Sequence, residues 1–164
     1  RYPGSLGLKD TSAEWRNQVR QGMKNRMKLR FNVEKCIGCY ACYTACIAEH
    51  HLPEEEDADS NITIRTVAEE DFQKNVCEGC IHCGLCMKQC PNGAIYREEE
   101  YGLILVDKGK CTGCRACEPV CPKGVIHYDA DGKLEKCDGC IERLREGREP
   151  ACVRACCIGA VERA

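Results

Sequence analysis

The chain has 164 residues, of which 18 are cysteine, two are Phe and one is Trp. Large aromatic side chains normally supply much of the buried area of a core, so this composition excludes an ordinary hydrophobic core. The formal net charge is −2, and basic residues are concentrated before residue 36, which leaves an acidic body. An acidic body argues against nucleic acid as a partner. Bound metal must therefore organise the fold, and the chain without it is expected to be poorly folded.

Residues 1–30 contain no cysteine and are predicted to form a basic extension to the rest of the chain. Thr11-Ser12-Ala13-Glu14 fits a capping box, and Trp15, Val19, Met23 and Met27 follow at steps of four. This pattern predicts an amphipathic helix from about residue 12 to residue 27. Its apolar edge either packs on the chain's own body or docks on a partner or on a second copy of the chain.

Sixteen cysteines fall into four sets of four, three with the spacing C-x2-C-x2-C-x3-C and the last with C-x2-C-x11-C-x3-C. Disulfides within such short runs would close very small loops, and zinc usually takes pairs of ligands that lie further apart. The compact spacing is instead typical of iron–sulfur cubanes, and sixteen thiolates predict four [4Fe-4S] clusters. The sets are Cys36/Cys39/Cys42/Cys46, Cys80/Cys83/Cys86/Cys90, Cys111/Cys114/Cys117/Cys121 and Cys137/Cys140/Cys152/Cys156.

The second motif contains one thiol more than a cluster can bind, because Cys77 lies three residues before Cys80. The spacing favours Cys80 and Cys83, since they restore the run found in the first and third motifs. Cys77 remains a rival ligand, and its alternative role, like that of Cys157, is a buried free thiol. His82 is disfavoured as an iron ligand because thiolates are already in excess.

Short β-prone segments flank the motifs, and a C-P-x-G sequence begins at Cys90 and at Cys121, with Cys in place of Pro after Cys156. These three endings predict duplicated ferredoxin units of short strands and small helices. Residues 47–61 are predicted to be a solvated loop, and residues 141–149 to contain a short exposed helix. The predicted strands are Leu29–Val33, Ile62–Val67, Ala94–Arg97, Leu103–Val106, Val125–Tyr128 and Ala160–Glu162.

From residue 31 to residue 164 the sequence resembles the four-cluster electron-transfer subunits of molybdenum and tungsten oxidoreductases, such as formate dehydrogenase, dimethyl sulfoxide reductase and formate hydrogenlyase. The resemblance is most specific in the fourth motif, at Lys136-Cys137-Asp138-Gly139-Cys140 and Pro150-Ala151-Cys152-Val153-Arg154-Ala155-Cys156. The first motif, from Cys36 to Cys46, also resembles that of the family, which likewise lacks a terminal Pro. The resemblance implies an α+β fold of tandem bacterial-type 2[4Fe-4S] ferredoxin-like units related by a pseudo-twofold axis.

In that family the outer motifs pair with each other, as do the inner motifs. For a body of residues 31–164, the resemblance implies that motif 36–46 pairs with motif 137–156, and motif 80–90 with motif 111–121. In each pair, the fourth cysteine of one motif ligates the cluster of the other. The implied ligand sets are Cys36, Cys39 and Cys42 with Cys156; Cys137, Cys140 and Cys152 with Cys46; Cys80, Cys83 and Cys86 with Cys121; and Cys111, Cys114 and Cys117 with Cys90.

The resemblance implies a non-catalytic subunit that relays single electrons between a larger tungsten- or molybdenum-pterin subunit, which oxidises formate or an aldehyde, and a redox partner. The redox partner implied by the resemblance is a flavin- or NAD-linked subunit or a ferredoxin. The alternatives are a free soluble polyferredoxin and, in last place, an iron–sulfur sensor. The longest aliphatic run, Leu103–Val106, is too short to span a bilayer. With no C-terminal anchor in the sequence, we expect a cytoplasmic location and a role in anaerobic metabolism.

Overall fold

Short strands and helices alternate with cysteine-containing loops in the computed structural model, which describes residues 26–55, 58–68 and 70–164. This mixture agrees with the predicted α+β class. None of the helices in these ranges is long and apolar enough to cross a membrane. The strands are β1 (Leu29–Phe31), β2 (Ile62–Ala68), β3 (Gln73–Gly79), β4 (Ile95–Arg97), β5 (Ile104–Val106), β6 (His127–Tyr128), β7 (Leu134–Glu135) and β8 (Val161–Arg163). The helices are α1 (Ala41–His50), α2 (Leu85–Gln89), α3 (Ile141–Arg145) and α4 (Ala151–Ala155).

The described strands form four separate antiparallel pairs, β1 with β8, β2 with β3, β4 with β5, and β6 with β7. Three of these pairs join strands that are consecutive in the sequence. The fourth pair joins β1 to β8, with Leu29 opposite Arg163 and Phe31 opposite Val161. This pairing brings the two ends of the cysteine-rich body together.

Two groups of buried side chains form the core, and cysteines belong to both. The larger group combines Met27, Leu29, Leu103 and Val161 with cysteines of the first and fourth motifs. The smaller group combines Ile95, Ile104 and Leu134 with Cys86 and Cys117 of the second and third motifs. The aliphatic residues are too few to build a core without the thiols, as the composition predicts.

The predicted strands agree with the observed ones to within about two residues at each end, but β3 and β7 were not predicted. The prediction of a solvated loop over residues 47–61 is wrong in part. Helix α1 continues to His50, and Ser60 and Asn61 are buried. The 141–149 segment contains the predicted helix, but Arg143 and Leu144 are buried instead of exposed.

The predicted helix from residue 12 to residue 27 lies outside the described residues except for its last turn. Met27 is described; it is 2% exposed, and its backbone N–H donates to the carbonyl of Tyr101 at 2.8 Å. Leu29 is also buried in the larger core group. Residues 27–29 therefore belong to the packed body, although the predicted extension runs to residue 30.

Gly139 and Gly147 form a matched pair for testing how tightly the core is packed around the fourth motif. Both have a φ of +72°, but a Cβ on Gly139 would lie 2.5 Å from Leu103 Cδ2 and 2.9 Å from Met27 Cε. No described atom lies within 4 Å of a Cβ on Gly147. Gly147→Ala should therefore lower the free energy of unfolding only by the backbone strain, about 1–2 kcal/mol. Gly139→Ala should lower it by roughly 1–3 kcal/mol more, because the added methyl group overpacks the core.

We expect Gly139→Ala to lower the thermal midpoint of the anaerobic protein below that of Gly147→Ala, by about 2–4 °C for each additional kcal/mol. Circular dichroism and cluster absorbance, followed on the same heating ramp, measure both midpoints. Equal losses in the two variants would contradict the close packing of Leu103 and Met27 against this loop.

Candidate metal centres

The three compact motifs share one backbone conformation. In each, the residue before the second cysteine and the residue after it are in the left-handed region, with φ between 52° and 86°. This repeat aligns Cys80, Cys83 and Cys86 with the cysteines of the other two motifs and leaves Cys77 outside, in strand β3. The left-handed residues are Gly38 and Tyr40, His82 and Gly84, and Gly113 and Arg115.

The last cysteines of three motifs are followed by the same turn. A glycine three residues later has a positive φ, and its N–H donates to the carbonyl of the cysteine. The next N–H donates to the cysteine sulfur in two of these turns, at 3.3 Å from Ala94 to Cys90 and at 3.1 Å from Ala160 to Cys156. The three pairs are Gly93 with Cys90 at 3.4 Å, Gly124 with Cys121 at 3.2 Å, and Gly159 with Cys156 at 3.3 Å.

Two pockets gather the cysteines of the inner motifs. The first is lined by Cys80, Cys83, Cys86 and Cys121. The second is lined by Cys90, Cys111, Cys114 and Cys117. Each pocket therefore combines the first three cysteines of one motif with the last cysteine of the other.

The cysteines of the outer motifs are also close to one another, as their mutual electrostatic effects show. Burial, followed by the negative charge of Cys156 and then of Cys36 and Cys39, raises the pKa of Cys42 to about 11. Burial raises the pKa of Cys152 further, with the charges of Cys140, Cys46 and Cys42 adding to the shift. Helix α1, which contains Cys42 and Cys46, packs against helix α4, which contains Cys152.

Burial makes ionised thiolates at the fourth motif costly when no cation is present. It raises the pKa of Cys140 to about 12 and that of Cys137 well above the usual value. Iron supplies the positive charge that compensates such thiolates, and backbone N–H groups stabilise the sulfur. The N–H of Gly139 donates a hydrogen bond to Cys137 Sγ, and the N–H of Leu134 donates one to Cys111 Sγ, both at 3.3 Å. Thiols gathered in fours and amides directed at sulfur fit [4Fe-4S] clusters.

Cys77 does not line the pocket of the second motif. It is 1% exposed, and burial followed by the Cys36 thiol raises its pKa to about 12, with Cys42 contributing less. The structure thus gives Cys77 neighbours in the first motif, which the spacing alone did not indicate. Cys157, the other cysteine outside the four sets, is exposed, so the expectation of a buried thiol is wrong at this position.

His82 and Lys136 are two buried polar residues beside the second-motif pocket. Burial first, and then the positive charge of Lys136, lowers the pKa of His82 to about 3. The Lys136 ammonium donates to the carbonyls of Ile104 at 2.6 Å and Cys137 at 2.7 Å. The cysteine spacing raised His82 only as a disfavoured iron ligand, and no sequence signal singles out Lys136 beyond its place in the fourth motif.

Helix α1 also supplies polar groups to the fourth motif that the sequence analysis missed. His50 Nε2 lies 3.4 Å from Cys140 Sγ and 3.5 Å from an Asp138 carboxylate oxygen. Glu49 accepts a hydrogen bond from the buried Arg143 guanidinium at 2.7 Å. No local sequence signal joins residues that are about ninety positions apart, so these contacts follow only from the packing of the helices.

These features define an iron–sulfur protein in which cysteines from different parts of the chain line the same pockets. Two family models, both described as a 4Fe-4S dicluster domain, match residues 35–95 and residues 68–163. The chain belongs to this family of 4Fe-4S dicluster proteins. The two matched domains and the eighteen cysteines support four [4Fe-4S] clusters.

Several known proteins are similar over most of this sequence. YnfG of Escherichia coli K12, a probable subunit of an anaerobic dimethyl sulfoxide reductase, is 35% identical over 78% of the present protein and 68% of its own length. The B subunit of the anaerobic dimethyl sulfoxide reductase of Haemophilus influenzae is 31% identical over 80% of the present protein and 70% of its own length. The thiosulfate reductase electron transfer subunit PhsB of Salmonella typhi is 33% identical over 85% of the present protein and 76% of its own length.

Removal of iron is expected to unfold the cysteine-rich body, because its core contains thiols that remain without compensating metal. Anaerobic treatment with an iron chelator should abolish the resistance of the body to limited proteolysis and most of its circular dichroism. Adding ferrous iron and sulfide back should restore both signals, which controls for damage by the chelator. A chelated, iron-free chain that kept the proteolytic resistance of the loaded protein would contradict this expectation.

Proposed function

We propose that the chain is the electron-transfer subunit of a molybdenum or tungsten oxidoreductase complex and contributes no catalytic group of its own. The observation that carries the proposal is that the inner-motif thiols line two pockets in fours and the outer-motif thiols lie close to one another within one small body. When bound, the clusters supply one-electron transfer, with potentials set by burial, charge and hydrogen bonds to sulfur. The similar proteins are named as reductase subunits, and one as an electron transfer subunit.

We propose that the four ligand sets are those implied by the family resemblance. The two inner-motif pockets support two of them, and the mutual charge effects among the outer-motif cysteines support the others. The proposed sets are Cys36, Cys39, Cys42 and Cys156; Cys137, Cys140, Cys152 and Cys46; Cys80, Cys83, Cys86 and Cys121; and Cys111, Cys114, Cys117 and Cys90.

We also propose that the body consists of two ferredoxin-like halves related by a pseudo-twofold axis. The outer motifs and the strand pair β1–β8 form one half, and the inner motifs with β4–β5 and β6–β7 form the other. The division of the core into two groups along the same lines supports this arrangement. The repeated left-handed positions in the three compact motifs support a common origin of the units.

Electron exchange with a partner requires clusters near the surface, and the second cysteine of each compact motif is exposed. Ile37 and Tyr40, on either side of Cys39, are 61% and 48% exposed, and Leu85 beside Cys83 is 43% exposed. Apolar side chains around an exposed thiol favour a surface that a larger pterin-containing subunit covers. In its finer form, the proposal is that the larger subunit oxidises formate or an aldehyde. The second redox partner is then a flavin- or NAD-linked subunit or a ferredoxin.

The N-terminal extension is proposed to dock on a partner subunit or on a second copy of the chain. Because Met27 and Leu29 are buried in the body, the test is deletion of residues 1–25. Loss of co-elution with the partner while the iron content is kept supports docking. Unchanged co-elution overturns this role of the extension. The alternative function, a free soluble polyferredoxin in the cytoplasm, is favoured if the full chain is recovered without a partner.

The second motif offers a direct test of the proposed ligands, since Cys77 and Cys83 are rivals for the same cluster. We expect Cys83→Ala to lower the iron content from about sixteen per chain by roughly one to four, through an opened or lost cluster. Cys77→Ala should keep about sixteen irons, because this thiol lies outside the pocket. Iron analysis and electron paramagnetic resonance of the anaerobic proteins measure the clusters in both variants. Loss of iron in Cys77→Ala but not in Cys83→Ala would assign Cys77 as the ligand instead.

The function itself is tested by metal analysis of the protein purified anaerobically from its native source with its co-purifying chains. About sixteen irons per chain, together with molybdenum or tungsten in a larger subunit, are expected. The identity of the second metal and activity with formate or aldehydes then narrow the substrate class. Recovery of the loaded chain without any partner would favour the free carrier, and zinc in place of iron would exclude both functions.

A further inference from the structure

His82 has an unusual backbone position for a residue with a side chain. It precedes the second cysteine of its motif and has a left-handed φ of 52°, whereas the first and third motifs have Gly38 and Gly113 at the equivalent place. Side chains are disfavoured in this region, although histidine tolerates it better than most residues. The side chain is nevertheless buried, with 6% exposure, beside the pocket of the second motif.

The hydrogen bonds of the ring identify which nitrogen carries its proton. His82 Nδ1 accepts a hydrogen bond from the backbone N–H of Ile104 at 3.1 Å. A nitrogen that accepts has no proton, so the neutral ring carries its hydrogen on Nε2. Nε2 is buried and has no acceptor among the described residues of the chain. A buried donor without an acceptor is costly, so a group absent from the polypeptide should accept this hydrogen.

Lys136 anchors the residue that orients the ring. Its ammonium donates to the carbonyl of Ile104, whose own N–H donates to His82 Nδ1, and also to the carbonyl of Cys137. These contacts link His82 to the fourth motif through the backbone of Ile104. They fix the ring with Nδ1 toward strand β5 and leave only Nε2 available to a ligand.

We propose that the Nε2–H of His82 donates a hydrogen bond to a sulfur of the cluster held by Cys80, Cys83, Cys86 and Cys121. This inference rests on the ligand set of the proposed function. His82 lines the same pocket as these four thiols. The reduced form has more negative charge on its sulfurs, so the donor stabilises that form and raises the reduction potential of this one cluster. The rival acceptor is solvent in the adjoining groove, which His82 also lines with Arg26 and Lys123.

Two substitutions separate the donor from the rest of the side chain. In His82→Asn, the amide oxygen can replace Nδ1 as the acceptor for Ile104, and asparagine tolerates the left-handed backbone, but no donor reaches the Nε2 position. In His82→Gln, the longer amide can place an N–H near the Nε2 position. His82→Gly is the fallback if His82→Asn fails to fold, because two homologous motifs have glycine there.

The measurement is a redox titration of anaerobic protein followed by electron paramagnetic resonance. At the wild-type midpoint potential of the affected cluster, His82→Asn should lower the ratio of reduced to oxidised cluster roughly tenfold, about 59 mV for one electron. His82→Gln should recover part of the shift, and His51→Asn, which removes a partly exposed ring paired with Glu55, should cause none. In protein with ¹⁵N-labelled histidine, the nitrogen coupling to the cluster of the second motif should vanish in His82→Asn. Any coupling from His50, whose Nε2 lies 3.4 Å from Cys140 Sγ, should remain.

The iron content distinguishes a failure of this inference from a failure of the proposed function. About sixteen irons in the wild type and in His82→Asn, with unchanged potentials and the same nitrogen couplings in both, would overturn the hydrogen bond and favour solvent as the acceptor. A wild-type chain that bound no cluster would overturn the proposed ligation first. A nitrogen coupling in the wild type, with the lowered potential in His82→Asn, supports the inference.

Discussion

The burial of thiols in sets of four is the constraint on which the rest of the structure depends. A buried thiolate needs a compensating cation, and burial raises the pKa values of Cys140 and Cys152. Each core group contains its own cysteines, so the residues proposed to bind iron also supply the packing. We therefore expect folding and cluster binding to be coupled in this chain. The short strand pairs mainly hold the cysteine-containing loops in place.

Much of this organisation is predictable because the cysteine spacing constrains the backbone directly. In each C-x2-C-x2-C run, the residues on either side of the second cysteine have left-handed backbone conformations. The glycines three residues after Cys90, Cys121 and Cys156 form the same turn. The site contacts that the sequence did not reveal join distant segments. Arg143 was predicted to be exposed on a charged helix, yet it is buried and forms an ion pair with Glu49 of α1, a contact between distant segments that outweighs the local charge pattern. Strand β3 was missed because its polar residues hide the alternation of a strand.

The two core groups meet where the second and fourth motifs approach each other. Cys80 is the strongest charged influence on Cys137, which places these two thiols close together across the boundary. Lys136 lies at the same boundary, with its ammonium bound to carbonyls from both sides. A buried positive charge between two anionic centres lowers their mutual repulsion. The boundary between the two proposed halves is thus a place where charge, hydrogen bonding and packing act together.

The pairing of β1 with β8 has a consequence for the order of events in the cell. Strand β1 and the first motif leave the ribosome early, whereas β8 and Cys156 are among the last parts of the described body to be synthesised. In the proposed ligand sets, the first motif lacks its fourth ligand until Cys156 has been synthesised. Contacts between such distant segments also form slowly. The cluster of the first motif is therefore expected to be completed later than the clusters of the inner motifs, whose proposed ligands lie closer together in the sequence.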